Sequence, residues 1–167
     1  YDLAIRHTAR PPDTHVAWAL CATESVLVAT RAYIRQHGEP QTPGELQTHN
    51  CLHYPRSQDT PAWTFEPREP SATGERITVP VSGRFAANNS EALREAALTG
   101  AGIALLPDFS AQAELRKGHL VRVLPGWKPV GAFAETIYAI RPYAPHVPRA
   151  VAALVAHLRA GLVQGFG

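Results

Sequence analysis

The sequence predicts an α/β fold, and three observations support this prediction. Short apolar runs alternate along the chain with segments of helical spacing, and proline or glycine lies at most of the joints. The stretch 88–107 has the pattern of a capped helix, a glycine turn and a buried strand in succession. With 167 residues, of which 45% are hydrophobic and 18% charged, the chain is long enough to bury a sizeable core.

The stretch 88–107 is the most informative part of the chain. Asn88 is expected to cap the helix by accepting a hydrogen bond from the Glu91 N–H, and the Glu91 side chain to reach back in a capping box. Free N–H groups at the helix start, together with the positive end of the helix dipole, favour a bound carboxylate. The pattern also predicts an apolar helix face (Leu93, Ala96, Ala97), a glycine turn (Gly100, Gly102) and a strand covered on both faces (103–106).

The first half of the chain is expected to hold short strands and two short helices. Thr30 is a candidate cap for a helix that ends at His37 and Gly38, and Thr42 begins a second capping box with Glu45. The predicted strands are 3–6, 16–21, 25–29, 51–54, 62–65 and 76–85, with an exposed turn at 66–74.

The second half contains two further helices. Asp108 is a candidate N-cap for a helix that runs to Lys117, with Gly118 as its C-terminal cap. Strands are expected at 119–124 and 133–141, separated by a surface loop at 125–131. Apolar residues recur at helical spacing near the C-terminus, which predicts a last helix with an apolar stripe of Val147, Val151, Leu154, Val155, Leu158 and Leu162.

Charge, hydropathy and cysteine content argue against several classes of protein. The net charge of +2 comes from 16 basic and 14 acidic residues without any run, so the chain lacks the basic stripe of a nucleic-acid-binding surface. No apolar stretch approaches the roughly 20 residues that span a bilayer, and the first residues do not resemble a signal peptide. Cys21 and Cys51 are too few for a disulfide framework, so we expect a reducing, cytoplasmic location.

The order and spacing of several short motifs resemble one known family. Each motif is weak alone, but together they cover essentially the whole chain. The motifs are Asp2–Arg6, Val28–Gly38, Thr42–Leu52, Trp63–Phe65, Gly83, the stretch 88–107, Gly118–Val121, Leu124-Pro125 and Tyr138–Pro142. On these motifs the chain is similar to the effector-binding domain of LysR-type transcriptional regulators, and nearest to the CrgA-like subgroup.

The resemblance implies a periplasmic-binding-protein-like (type 2) α/β fold. In this fold two subdomains are joined by two crossover strands, and a small effector binds in the cleft between them. Residues 26–130 would form subdomain II, and residues 1–25 and 131–167 would form part of subdomain I. The crossovers would lie in or near 26–29 and 133–140.

The chain departs from the family pattern at its N-terminus. Full-length regulators begin with a winged helix-turn-helix, a linker helix and further elements of the effector domain, and these precede the position of Asp2–Arg6. We therefore expect the chain to be a C-terminal fragment in which the first subdomain is incomplete. Such a gap would expose edge strands and apolar surface, which favours self-association.

The resemblance also identifies candidate effector-binding residues. Asn88, Asn89 and Ser90 match the start of the helix that lines the cleft in the family, although N-capping alone would also explain them. Arg6 and His7 follow the first predicted strand at positions that match a cleft-lining stretch, and the alternative is a solvated loop. The last candidate is Thr30, which follows a crossover, although a threonine directly before a helical segment is more often just the helix cap.

One cluster has the residue types of an enzyme. A thiol and an imidazole, Cys51 and His53, could form an activated nucleophile or begin a metal site. Structural zinc normally needs four ligands, however, and Cys51 falls in a predicted buried strand. The glycines at 100 and 102 lie after a helix and before a strand, the reverse of the dinucleotide-binding order. We therefore expect no catalytic residue, no metal and no cofactor.

The resulting expectation is a sensor of a small molecule, with an organic or aromatic acid as the favoured effector. The domain would assemble as a homo-oligomer, a dimer or tetramer in the intact protein, and would reach DNA only through the N-terminal winged helix-turn-helix. It would have no contact with a membrane. The alternatives are a standalone solute-binding protein and a small hydrolase-like enzyme with a similar α/β cleft.

Overall fold

The structure is a computed structural model and describes residues 1–55, 60–69 and 74–166. In chain order the strands are β1 (Ala4–His7), β2 (His15–Ala22), β3 (Ser25–Ala29), β4 (Cys51–Leu52), β5 (Ala62–Pro67), β6 (Ile77–Pro80), β7 (Ile103–Pro107), β8 (Val121–Arg122), β9 (Trp127–Val130) and β10 (Thr136–Pro142). The helices are α1 (Arg31–His37), α2 (Ser90–Leu98), α3 (Asp108–Lys117) and α4 (Arg149–Gly161), and a 3₁₀ helix spans Pro43–Thr48.

The described chain forms two compact units. Unit 1 combines Tyr1–Glu24 with Phe133–Gly167, and unit 2 is the continuous segment Ser25–Ala132. The equivalence of these units to the two subdomains predicted from the sequence stays a prediction.

Unit 1 is built on a three-stranded antiparallel sheet in the order β1-β10-β2. The central strand β10 pairs with both neighbours, and Arg6 and His7 of β1 lie opposite Tyr138 and Ile137. The register of β10 against β2 shifts between Ile137 and Tyr138, where the ladder is irregular. The strand predicted at 133–141 is therefore confirmed, with its start three residues later.

Helix α4 packs against β2 within the same unit. Val151 and Val155 of its apolar stripe are buried, as periodicity predicted. Leu154 of the same stripe is 47% exposed, so the apolar face that α4 buries is narrower than the sequence indicated.

Unit 2 contains a four-stranded sheet in the order β4-β7-β3-β8. Every residue of β3 and β7 is buried, which explains their continuous apolar sequences. Helix α2 packs against β7 through Leu93 and Ala97, both fully buried. The buried residues of this core are Val26, Val28, Leu52, Leu93, Ala97, Ala104, Leu106, Ala111 and Leu120.

A second sheet in unit 2 has the order β6-β5-β9. Strand β9 occupies residues that the sequence predicted as a surface loop, and that prediction was wrong. Glycine and proline at 126, 129 and 131 gave the loop signal, but an edge strand tolerates proline because one side of its backbone needs no partner in the sheet. The strand predicted at 76–85 is reduced to β6, because the chain leaves the sheet after Pro80.

The helix ends agree with the sequence at several positions and differ at others. Thr30 accepts a hydrogen bond from the Tyr33 N–H as the N-cap of α1, and Gly118 ends α3 with φ 74°, as predicted. The N-cap of α3 is Pro107 rather than Asp108, because β7 extends to Pro107 and its pairing with Ser25 holds that residue outside the helix. Asp108 is instead the first helical residue, and its carboxylate accepts the Phe109 N–H at 2.7 Å.

The second predicted capping box forms only in part. The Glu45 carboxylate accepts hydrogen bonds from the Gln41 N–H and the Thr42 hydroxyl, but the Thr42 side chain caps no backbone N–H. The following helix is of the tighter 3₁₀ type. Of the turn predicted at 66–74, Glu66 and Pro67 belong to β5, and residues 70–73 lie outside the described part of the chain.

Candidate functional site

The start of helix α2 differs by one residue from the sequence prediction. Asn89, not Asn88, is the N-cap, and its Oδ1 accepts the Glu91 N–H at 2.8 Å and the Ala92 N–H at 3.3 Å. Ala86 forms a β-bridge with His53, and the Ala87 N–H donates to the His53 carbonyl. These contacts keep the chain extended at the residue before the helix. The third helical residue is then alanine, so the predicted capping box with Glu91 does not form.

Asn88 and Ser90 lie on either side of the N-cap at this end of α2. The Asn88 carbonyl accepts a hydrogen bond from the Tyr54 hydroxyl, which fixes the backbone just before the helix. Within the described residues, neither the N–H nor the hydroxyl of Ser90 has a hydrogen-bond partner. The start of α2 therefore keeps a free N–H at the positive end of the helix dipole, which suits an anionic oxygen atom.

Arg6 and His7 both lie inside β1, which ends at His7 and not at Arg6, so the prediction that His7 follows the strand was wrong. Pairing with β10 continues as far as His7, which keeps both residues in the sheet. His7 Nε2 lies 2.6 Å from the Ala134 carbonyl and 2.9 Å from the Thr23 hydroxyl. Because a carbonyl only accepts, this nitrogen carries a proton in the observed arrangement.

Arg6 and His7 both line an open pocket of about 440 Å³ in unit 1. In the part of the chain that the structure describes, the Arg6 guanidinium makes no hydrogen bond or ion pair, whereas Arg10 pairs with Asp13 at 3.1 Å. A guanidinium without an acidic neighbour is suited to a carboxylate or phosphate ligand. The lining residues are Tyr1, Arg6, His7, Thr8, Arg10, Pro12, His15 and Ile140.

Thr30 lies apart from the other candidates of unit 2. Its hydroxyl oxygen accepts the Tyr33 N–H at 3.1 Å and lies 3.5 Å from where a Cβ on Gly100 would be. Gly100 follows the C-terminal end of α2, whereas Asn89 caps the N-terminal end, and a nine-residue helix is roughly 13 Å long. An effector contact from Thr30 stays a prediction, and the structure gives this residue the role of a cap.

The cluster around Cys51 is arranged as part of the core. Cys51 is fully buried, its Sγ donates to the Leu46 carbonyl at 3.4 Å, and burial raises the pKa of the thiol to about 12. The side chain of His53 contacts the Cys51 carbonyl through Nδ1, at 3.1 Å, and not the sulfur. A nucleophilic cysteine needs a lowered pKa, so this environment disfavours covalent catalysis at Cys51. No group of three His, Cys, Asp or Glu side chains among the described residues could hold a metal ion.

A second pocket, of about 560 Å³, lies entirely in unit 2 and was not predicted from the sequence. One of its lining residues is Tyr33, whose hydroxyl contacts His49 Nδ1 at 2.9 Å and accepts the Asn50 N–H at 3.2 Å. The side chain of Asn50 holds two further segments, accepting the Arg84 N–H at 2.8 Å and donating to the Ala101 carbonyl at 2.6 Å. An asparagine directly before a buried strand is equally typical of an ordinary turn, so the sequence alone does not identify this pocket.

Comparison with known proteins identifies the family. The family of LysR substrate-binding domains matches residues 1–163. The chain is 37% identical to the HTH-type transcriptional regulator PtxR of Pseudomonas aeruginosa over 160 residues, which are 95% of this chain and 48% of that protein. It is 32% identical to the probable HTH-type transcriptional regulator LtrA of Klebsiella pneumoniae over 157 residues, covering 94% of this chain and 49% of that protein.

The fold agrees with the same family. The regulatory domain of CrgA, a LysR-type transcriptional regulator from Neisseria meningitidis, superposes with a TM-score of 0.77 and 26% identity, covering 96% of this chain and 75% of that domain. The predicted type 2 periplasmic-binding-protein-like α/β fold is thereby confirmed. In the described part of the chain, no helix has both the length and the apolar character needed to cross a membrane.

This chain spans about half the length of the curated relatives that it matches. The resemblance predicted from its motifs is confirmed by the family match, by the two HTH-type regulators and by the regulatory domain of CrgA. The chain belongs to the family of LysR substrate-binding domains, the effector-binding domains of LysR-type transcriptional regulators.

Proposed function

We propose that this domain senses a small organic or aromatic acid. The effector carboxylate binds the free N–H at the start of α2, assisted by Asn88, Asn89 and Ser90. Within unit 1, we propose Arg6 and His7 as separate candidate contacts for an acid, because their side chains offer hydrogen bonds and positive charge.

The observation that carries this proposal is the free Ser90 N–H. Asn89 occupies the next two N–H groups of the first turn, so one donor is left unpaired at the positive end of α2. The helix is held in place by Leu93 and Ala97 in the core and by the Tyr54 bond to the Asn88 carbonyl. A donor fixed in advance binds an anion without a further cost of ordering.

In the intact protein, effector binding would bias the DNA-binding heads of a homo-oligomer. The relatives PtxR and LtrA are named HTH-type regulators, which supports DNA contact through an N-terminal winged helix-turn-helix. Such regulation requires that effector affinity differ between two arrangements of the protein. We further propose a cytoplasmic, non-enzymatic protein with a dimeric or tetrameric assembly.

The test is a proline substitution that removes the free N–H from the proposed site, together with the Ser90 hydroxyl. Proline is favoured at the first helical position, and the backbone of Asn89, at φ −136° and ψ 120°, is compatible with a following proline. Ser90→Pro in the intact regulator should therefore fold normally and lose at least tenfold in response to a panel of carboxylates, measured by promoter binding and a reporter gene.

The matched control is Arg31→Pro at the first position of α1. Its preceding residue, Thr30, has φ −79° and ψ 153°, so this substitution is also compatible with the backbone. Arg31→Pro should leave the response to carboxylates unchanged. An unchanged response in Ser90→Pro, or an equal loss in both variants, would contradict the proposed role of the α2 start.

A further inference from the structure

Among the described residues, the lining of the unit 2 pocket that contains Tyr33 includes no carboxylate. Arginine, two histidines and several neutral polar side chains surround a volume of about 560 Å³, which is large enough for a small organic molecule. The lining residues are Tyr33, His37, Gln47, Thr48, His49, Asn50, Ser82, Gly83, Arg84 and Ala101.

Hydrogen bonding selects the tautomer of His49. The Tyr33 oxygen already accepts the Asn50 N–H at 3.2 Å, and its own proton points to His49 Nδ1 at 2.9 Å in the arrangement that uses every donor. The proton of a neutral His49 then lies on Nε2. Burial and the nearby His37 imidazole lower the pKa of His49, against an opposing effect of Glu45, so the neutral form is favoured. His49 thus offers the pocket one N–H donor.

His37 is positioned through the same tyrosine. Its ring stacks on the Tyr33 ring with centroids 4.3 Å apart, and Nδ1 lies 3.2 Å from the Tyr33 carbonyl. Because the carbonyl accepts, Nδ1 carries the proton, and Nε2 of a neutral His37 is an acceptor. The Tyr33 ring therefore contacts two imidazoles, since the His49 ring centroid also lies 5.7 Å from it.

The backbone of Arg84 is held by a hydrogen bond, whereas its side chain makes none among the described residues. Its N–H donates to Asn50 Oδ1 at 2.8 Å, and the preceding Gly83 lies so close to β4 that a Cβ there would be 2.0 Å from the Cys51 carbonyl oxygen. The Arg84 side chain is exposed and, among the described residues, has no hydrogen bond or ion pair. A guanidinium held at its base, with no acidic partner, is suited to binding a carboxylate in a bidentate manner.

We propose that this pocket is a second ligand site, distinct from the α2 start, which binds the carboxylate of a small organic acid through the Arg84 guanidinium and the His49 Nε2–H. The site lies within unit 2 and uses none of the residues assigned to the effector. Asn50 and Tyr33 are positioning residues, because they hold the segments and the tautomer on which the two ligand-binding groups depend.

Isothermal titration calorimetry of the intact protein with benzoate, succinate and inorganic phosphate tests this proposal. The Ser90→Pro variant serves as the background, so that binding at the α2 start is removed. We expect a carboxylate to bind in this background, Arg84→Gln to weaken that binding at least tenfold, and Tyr33→Phe to weaken it several-fold. The matched control is Arg122→Gln, an exposed arginine of β8 outside the pocket, which should leave binding unchanged.

Three outcomes would overturn the proposal. The first is carboxylate binding that Arg84→Gln leaves intact, and the second is the absence of binding by every probe in the Ser90→Pro background. The third is phosphate binding that exceeds carboxylate binding and depends on Arg84, which would assign the pocket to phosphorylated ligands. None of these depends on the promoter response, so failure of this site and failure of the proposed effector site remain distinguishable.

Discussion

The carbonyl of Asn50 lies directly against Gly102: a Cβ on that glycine would be 2.1 Å from the Asn50 oxygen. The same carbonyl accepts the Ile103 N–H at 3.0 Å, where the parallel pairing of β4 with β7 begins. Strands β4 and β7 can therefore pair only if their backbones touch at this point. Position 102 must then be glycine, because a side chain would occupy the space of the contact.

Gly102→Ala should therefore lower the free energy of unfolding by at least about 2 kcal/mol, because the new methyl group forces β4 and β7 apart. Urea unfolding measures the change. Gly126→Ala is the control, since nothing lies within 4 Å of its Cβ position and it should change stability by less than about 0.5 kcal/mol. Equal stability of the two variants would show that the close contact is relieved without cost.

The two adjacent asparagines before α2 should differ in their effect on stability. Asn89→Ala removes the side chain that accepts two first-turn N–H groups and should cost about 1 kcal/mol. Asn88→Ala should cost much less, because the bond at Asn88 uses only its backbone carbonyl. Thermal and urea unfolding of both variants measure the difference, and a larger loss in Asn88→Ala would contradict the observed cap.

Cys51 should resist alkylation in the folded protein. Its thiol is buried, and its pKa is raised to about 12, so almost no thiolate is present at pH 8. In a Cys21→Ser variant, which leaves one thiol, iodoacetamide should react at least a hundredfold more slowly in buffer than in urea, as followed by mass spectrometry. Comparable rates in both solvents would indicate that β4 opens readily.

Stability in acid should depend on the contact between Glu114 and His119. His119, at 2.7 Å, and then Lys117 lower the pKa of the Glu114 carboxyl. Because the pKa of Glu114 is lower in the folded protein than in the unfolded chain, its charged carboxylate stabilises the fold. This stabilisation is complete above the unfolded pKa of 4.5, and it is lost as the pH falls through the folded pKa. The urea midpoint of His119→Gln should therefore lie below that of the wild type at pH 6 and approach it at pH 3.

His146→Gln controls for the loss of an exposed histidine elsewhere. Its backbone carbonyl accepts a bond from Arg141, and the side chain is not part of that contact. This variant should follow the wild type at every pH. A constant difference between His119→Gln and the wild type from pH 6 to pH 3 would argue against the carboxylate as the source of the effect.

Local signals in the sequence predicted most elements of the fold correctly. Apolar runs identified β3 and β7, Thr30 and Gly38 identified the ends of α1, and Gly118 identified the end of α3. The prediction failed where two neighbouring residues had equal capping potential. Asn88 and Asn89 are chemically identical, and the choice between them depends on Ala86 pairing with His53, a distant contact.

The pocket around Tyr33 was beyond prediction for a related reason. Its lining comes from α1, the segment before β4, the segment after β6 and the turn before β7. These segments meet where Asn50 bonds to Arg84 and Ala101, and a single sequence contains no signal for such a meeting. Asparagine, glycine and histidine in these places are equally typical of ordinary turns.

The residues of the pocket that contains Asn50 fall into two groups, which differ in how well they tolerate mutation. Positions 50, 83 and 102 are constrained by backbone contact, so almost any replacement there disturbs β4 and β7. Arg84 and Gln47, by contrast, project exposed side chains that no other described residue engages. Mutation can therefore alter ligand preference at these two positions while the scaffold persists, and directed evolution of new specificities in this domain should begin there.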